Sequence, residues 1–184
     1  GHLDLAIALI EEGASIDDSN RNQCTPLHLA CYNCHPEVAI ALIWRGANID
    51  AKSSSHNTPL HDACSSGLIE VVMALIERGS NVDARDIISL RTPLHVACNT
   101  GHIEVAMVLI EKGANVDAGD SGQWTPLHRA CSNGRLEVAM ALIEKGATIN
   151  SRSRNQETPL HYACKGGHLD LAIALIEEGA SIDD

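Results

Sequence analysis

Apolar positions along this chain fall in short clusters that alternate with polar turns, and the alternation repeats. Residues 84–117 show one full period. Asp86 to Arg91 reads as a polar-to-mixed loop. Thr92-Pro93 then opens a short helix, because Thr is a good N-cap and Pro suits the first helical turn. Leu94, Ala97 and Cys98 form its buried side, and Gly101 ends it where a left-handed residue is needed. A second helix is predicted over 102–112, with Ile103, Val105, Ala106, Leu109 and Ile110 apolar. Gly113 stops that helix, and residues 114–117 run extended into the next loop. The unit is loop, helix, turn, helix.

The phrase Thr-Pro-Leu-His begins at Thr25, Thr58, Thr92, Thr125 and Thr158, with spacings of 33, 34, 33 and 33 residues. A fixed period of that length means one supersecondary unit stacked on copies of itself. No unit can bury its apolar side alone, so each depends on its neighbours. Three segments recur in order: Thr-Pro-Leu-His-x-Ala, Gly-His-x-Glu-Val and Gly-Ala-x-x-Asp. Together they are specific, and over the whole chain the sequence resembles the ankyrin-repeat family. The resemblance implies an all-α repeat solenoid of stacked helix-turn-helix repeats with projecting β-hairpin fingers. It also implies a concave groove, lined by fingers and first helices, that binds other proteins without catalysis. One domain, 1–184, would then comprise a partial repeat 1–17 and full repeats 18–50, 51–83, 84–117, 118–150 and 151–184.

Composition narrows this picture. Aromatics are 2% and Phe is absent, so the core is aliphatic. The net charge of −11 argues against nucleic acid and anionic membrane as partners. No run of 18 apolar residues and no signal peptide is present, and an intracellular, cytoplasmic or nuclear, setting is expected. Five of seven cysteines recur at one repeat position (Cys31, Cys64, Cys98, Cys131, Cys164), which suits reduced thiols better than a disulfide framework.

Charge divides by face. The finger and first-helix segments carry a net +3, and the second-helix segments with the rest carry −14. The groove is therefore expected to prefer a neutral or acidic partner. Binding hot spots favour Trp, Tyr and Arg. The groove side offers Arg21, Tyr32, Arg91, Trp124, Arg129, Arg154 and Tyr162 as partner-binding candidates, with Ile88 and Leu90 on a third finger that is one residue longer. The second helices carry Ile40, Met73, Met107 and Met140 at a position usually polar in this family, with Trp44 nearby. Either the helix is rotated and buries them, or they form a second interface.

Other constellations have plainer readings. The five motif histidines (His28, His61, His95, His128, His161) recur too strictly for catalysis and should bridge backbone groups of adjacent repeats. His28, Cys31, Cys34 and His35 have the donor types for zinc, but the recurring pair supplies two ligands where tetrahedral zinc wants four. No metal, cofactor or catalytic residue is expected. Cys34 stands where other repeats have glycine, which predicts local strain. Residues 1–18 are identical to 167–184. A recent duplication and engineered ends both account for that identity. It makes self-association through the terminal repeats, or head-to-tail exchange of 1–17 for 168–184, the alternative role: a spacer or scaffold. Neither end carries the polar outer face of a usual cap.

Overall fold

A computed structural model describes residue 8 and residues 12–182. Ten helices lie among them, in five pairs. The first helices are α1 (Pro26–Tyr32), α3 (Pro59–Ser66), α5 (Pro93–Thr100), α7 (Pro126–Ser132) and α9 (Pro159–Lys165). The second helices are α2 (Pro36–Trp44), α4 (Ile69–Glu77), α6 (Ile103–Glu111), α8 (Leu136–Glu144) and α10 (Leu169–Glu177). Each first helix packs on the first helix of the next repeat and on its own second helix, and the second helices stack behind. The all-α solenoid that the family resemblance implied is what forms.

Each first helix begins with the same cap. A Thr in extended conformation precedes Pro, and the His three residues on closes a reciprocal capping box. The core between layers is aliphatic: Leu27, Leu60, Leu94 and Leu127 from first helices, and Leu75, Leu109, Leu142 and Leu175 from second helices, are buried. Cys31, Cys64, Cys98 and Cys131 are buried beside them, and all seven cysteines are free. Burial pushes these four thiols well above their ordinary range, so they stay protonated and inert.

The fingers correct one expectation. No strand forms among the described residues. Each finger is a closed turn, held within itself by one or two backbone bonds, such as Ser53 N–H to Asn57 C=O at 3.0 Å with His56 N–H to Ser53 C=O at 2.8 Å. Successive fingers are joined by one backbone bond each: Ser54 to Asn22, Ile87 to Ser55, Ser121 to Ser89 and Arg154 to Gly122, at 2.8–3.1 Å. One link per finger is too few for a ladder. The exchange predicted for residues 1–17 falls mostly outside the described residues.

Cys34 adopts φ 56°, in the left-handed region, where Gly67 has φ 70° and Gly101 φ 92°. The strain read from the sequence is therefore present. It is tolerated because the stacking neighbour changes. A Cβ on Gly67 would lie 2.7 Å from the ring of His102, and one on Gly101 would lie 2.8 Å from Arg135. The residue matching His102 in the repeat after Cys34 is Leu68, which offers no ring to stack there.

Candidate binding groove

The motif histidines build the frame of the groove. In every full repeat the His Nδ1 accepts the Thr backbone N–H at 3.0–3.2 Å. That contact leaves the proton on Nε2. His28, His61, His95 and His128 donate it to a carbonyl of the following finger (Asn57, Arg91, Trp124 and Glu157) at 2.9–3.2 Å. One imidazole thus caps its own helix and holds the next finger in place. Burial, the largest influence, lowers the pKa of all four, and of His95 to about 4. Both ring nitrogens are engaged, so these histidines are structural, as their strict repetition suggested. No cluster of three or more His, Cys, Asp or Glu able to hold a metal exists among the described residues.

Between fingers and first helices runs a groove. One depression of about 400 Å³ is lined by finger residues Asn22, Cys24, Ser53, Ser54, Ser55 and Asn57 with Leu29, Tyr32 and Asp62. A smaller one, about 200 Å³, continues past Asp62 to Arg91, Val96 and Asn99. Tyr32, Asn57 and Asp62 line both.

The sequence candidates divide by what the fold does with them. Tyr32 is 67% exposed and Ile88 is 71% exposed, with Ile87 and Leu90 open beside it. Leu90 sits at φ 55°, in the turn position filled elsewhere by Gln23, His56, Gln123 and Gln156. It is the one apolar residue of that row. Arg21 and Arg154 are exposed and make no side-chain bond among the described residues. Tyr162 is not the open contact expected. It is 7% exposed, with its ring 4.1 Å from Trp124 and its hydroxyl 3.4 Å from Ser153 Oγ. Trp124 is half-buried, because Arg129 covers its ring at 4.5 Å and Tyr162 backs it.

The basic groove residues are largely engaged. Arg91 Nε lies 3.1 Å from Asp86, and Arg129 lies 2.5 Å from Asp120. Lys165 pairs with Glu157. Burial alone would raise the Asp86 carboxyl, but the Ser89 N–H and the Arg91 guanidinium outweigh it and hold it below its usual range. These pairs brace the fingers from within. The three pairs leave the net +3 of these segments unchanged, but they tie Arg91, Arg129 and Lys165 to acids of their own repeat.

On the second helices the stripe is broken. Trp44 is 61% exposed and Met73 is open, whereas Ile40, Met107 and Met140 are half-buried. Arg78 covers the Trp44 ring at 4.5 Å. Sequence reasoning passed over Leu29, Asn57 and Asp62. The signal for Leu29 and Asp62 was the position between His and Ala of the repeated phrase, which reads Leu29, Asp62, Val96, Arg129, Tyr162, with one acid among them.

Comparison with known proteins agrees with this architecture. A family model of ankyrin repeats in three copies matches residues 1–86 and 88–153, and one of ankyrin repeats in many copies matches residues 142–184. The chain belongs to the ankyrin-repeat family. Its structure is similar to the crystal structure of the human ASB11 ankyrin repeat domain, at 30% identity and a TM-score of 0.92, covering 100% of this chain and 81% of that one. None of the curated proteins matches the sequence. Ankyrin repeats are in general protein–protein interaction modules, and their fold is typically non-catalytic. No described helix is long and apolar enough to cross a membrane.

Proposed function

We propose that this chain is a non-catalytic interaction module that holds a polypeptide partner in the groove between fingers and first helices. The observation that carries this reading is the open apolar surface there. Tyr32, Leu29, Ile87, Ile88 and Leu90 are all exposed along one side of the stack. Exposed apolar side chains grouped in this way favour burial against a partner. Histidine-braced fingers present them in fixed positions, so little ordering cost opposes binding. Arg91, Trp124, Arg129 and Tyr162 act mainly as the rigid wall of the groove, while Arg21 and Arg154 offer free positive charge at its finger edge. A partner neutral to acidic near Arg154 fits that distribution.

Affinity capture from cell lysate tests the reading with a groove variant, Leu29→Glu, Ile88→Asp and Arg154→Glu, checked for fold by circular dichroism. All three residues are exposed, so the core is spared. A partner held by the native chain and lost by the variant supports groove binding. A partner held equally by both sinks it and redirects attention to Trp44 and Met73.

A self-associating scaffold is the second reading, favoured by one observation. The last repeat exposes Leu169 (70%), Ile173, Ile176 and Ile182. Light scattering at increasing concentration would show growing mass for the native chain and a fixed mass for Ile173→Glu.

A further inference from the structure

The groove contains five acidic residues, and they are treated differently. Asp86, Asp120 and Glu157 each face a basic partner in their own repeat. Asp18 is exposed to water. Asp62 alone is half-buried with a carboxylate that has no hydrogen-bond or ion-pair partner among the described residues. Arg91 shares the smaller depression with it but spends its Nε on Asp86.

The surroundings of Asp62 suit a cation from outside. Its carboxylate lies where the two depressions of the groove join, so it can be reached from either. Tyr32, two-thirds exposed, lines the same two spaces and can present a ring face to a positive group. The finger opposite supplies only neutral polar groups: Ser53, Ser54, Ser55 and Asn57. The thiols nearby (Cys24, Cys31 and Cys64) are held protonated by burial first and by the Asp62 charge after it, so they stay neutral. Leu29, also exposed, extends the apolar rim against which an aliphatic stem could lie.

We propose that Asp62 and Tyr32 form a subsite for one lysine or arginine side chain of the bound polypeptide. The ammonium or guanidinium would donate to the Asp62 carboxylate, the stem would lie along Leu29 and Tyr32, and Asn57 and the finger serines would take remaining donors. An unpaired carboxylate partly removed from water gains most from such a pairing, because the charge-assisted bond replaces incomplete hydration. The subsite also sets polarity along the groove, with a cation at Asp62 and acidic groups toward Arg154. This inference rests on groove binding and refines it.

The test selects short random peptides displayed against the native chain and screens the recovered peptides on the groove variant, on Asp62→Asn and on Tyr32→Ala. Peptides that depend on the groove variant's residues should share a Lys or Arg at one fixed position. The best of them should bind Asp62→Asn about tenfold or more weakly than the native chain. Changing the peptide's Lys or Arg to norleucine should cost a similar factor on the native chain and little on Asp62→Asn, which is the signature of a direct pair. Groove-dependent peptides with no fixed cation, or with equal affinity for Asp62→Asn, overturn the subsite and leave groove binding standing. Recovery of no groove-dependent peptide overturns both.

Discussion

At the scale of the residue, two side chains sit where the local environment opposes them. Cys34 holds a left-handed backbone that glycine takes without strain, and its own side chain is exposed. Cys34→Gly should therefore stabilise the chain by about 0.5–1 kcal/mol, the steric relief exceeding the added freedom of the unfolded state. Urea denaturation read at equilibrium would show the gain, and a loss of stability would mean that the thiol contributes packing unseen here. Asp62 is the second case. Burial raises its pKa to about 7, well above the ordinary 3.8. The folded state therefore holds this proton more tightly, and Asp62 erodes stability as pH rises from about 4 through 7. Asp62→Asn should stabilise by roughly 1–2 kcal/mol at about pH 8 and hardly at all near pH 4. Equal shifts at both pH values, from paired thermal melts, would refute the account.

At the scale of the element, the sequence is most transparent where one residue type has one job. Thr-Pro marks every first-helix start, and Gly67 and Gly101 occupy the left-handed stops that their pattern required. Leu109, fully buried between layers, was legible as core from its spacing. Leu109→Ala should cost about 2–5 kcal/mol by leaving a cavity in the stack, measurable as a lower denaturation midpoint with unchanged slope. The fingers were less legible, because their form depends on contacts between repeats. A chain reading can place Asp86 and Arg91 in one loop, but it cannot show that they pair and tie the guanidinium to its own finger. For the same reason Tyr162 read as an open aromatic. Only the packing of Trp124 against it reveals that the two support each other. Asp62 escaped notice because a lone acid at a variable position becomes informative only once its neighbours are known to be committed elsewhere.

At the scale of the whole molecule, the buried histidines govern the response to acid. In the unfolded chain they titrate near 6.5, whereas burial lowers them in the fold, His95 to about 4. Nearby charges modify this without reversing it: Asp86 raises and Arg91 lowers His61, and Asp120 raises and Arg129 lowers His95 and His128. Between these limits the unfolded state binds more protons, so stability is full above about pH 6.5 and falls as pH drops toward 4. Asp62 opposes the trend as a single site against four. A denaturation midpoint that stays level across this window would show that the imidazoles are not held neutral.

The bridge from each imidazole to the next finger has a direction. His28, His61, His95 and His128 all reach toward the repeat that follows. The side chains of Asp17, Asp50, Asp83, Asp117 and Asn150 likewise accept N–H groups from the succeeding repeat, at 2.8–3.3 Å. Peeling away 151–184 would strip His128 of its acceptor and open its ring to water, whereas loss at the other end leaves the acceptors of the motif imidazoles that remain in place. Each histidine is in this sense a sentinel for its downstream neighbour: its proton affinity would climb toward that of free imidazole once the neighbour departs. The array thus carries a grain, like wood, and fraying that starts at one end announces itself in a proton taken up by a motif histidine, an uptake that fraying at the other end does not produce.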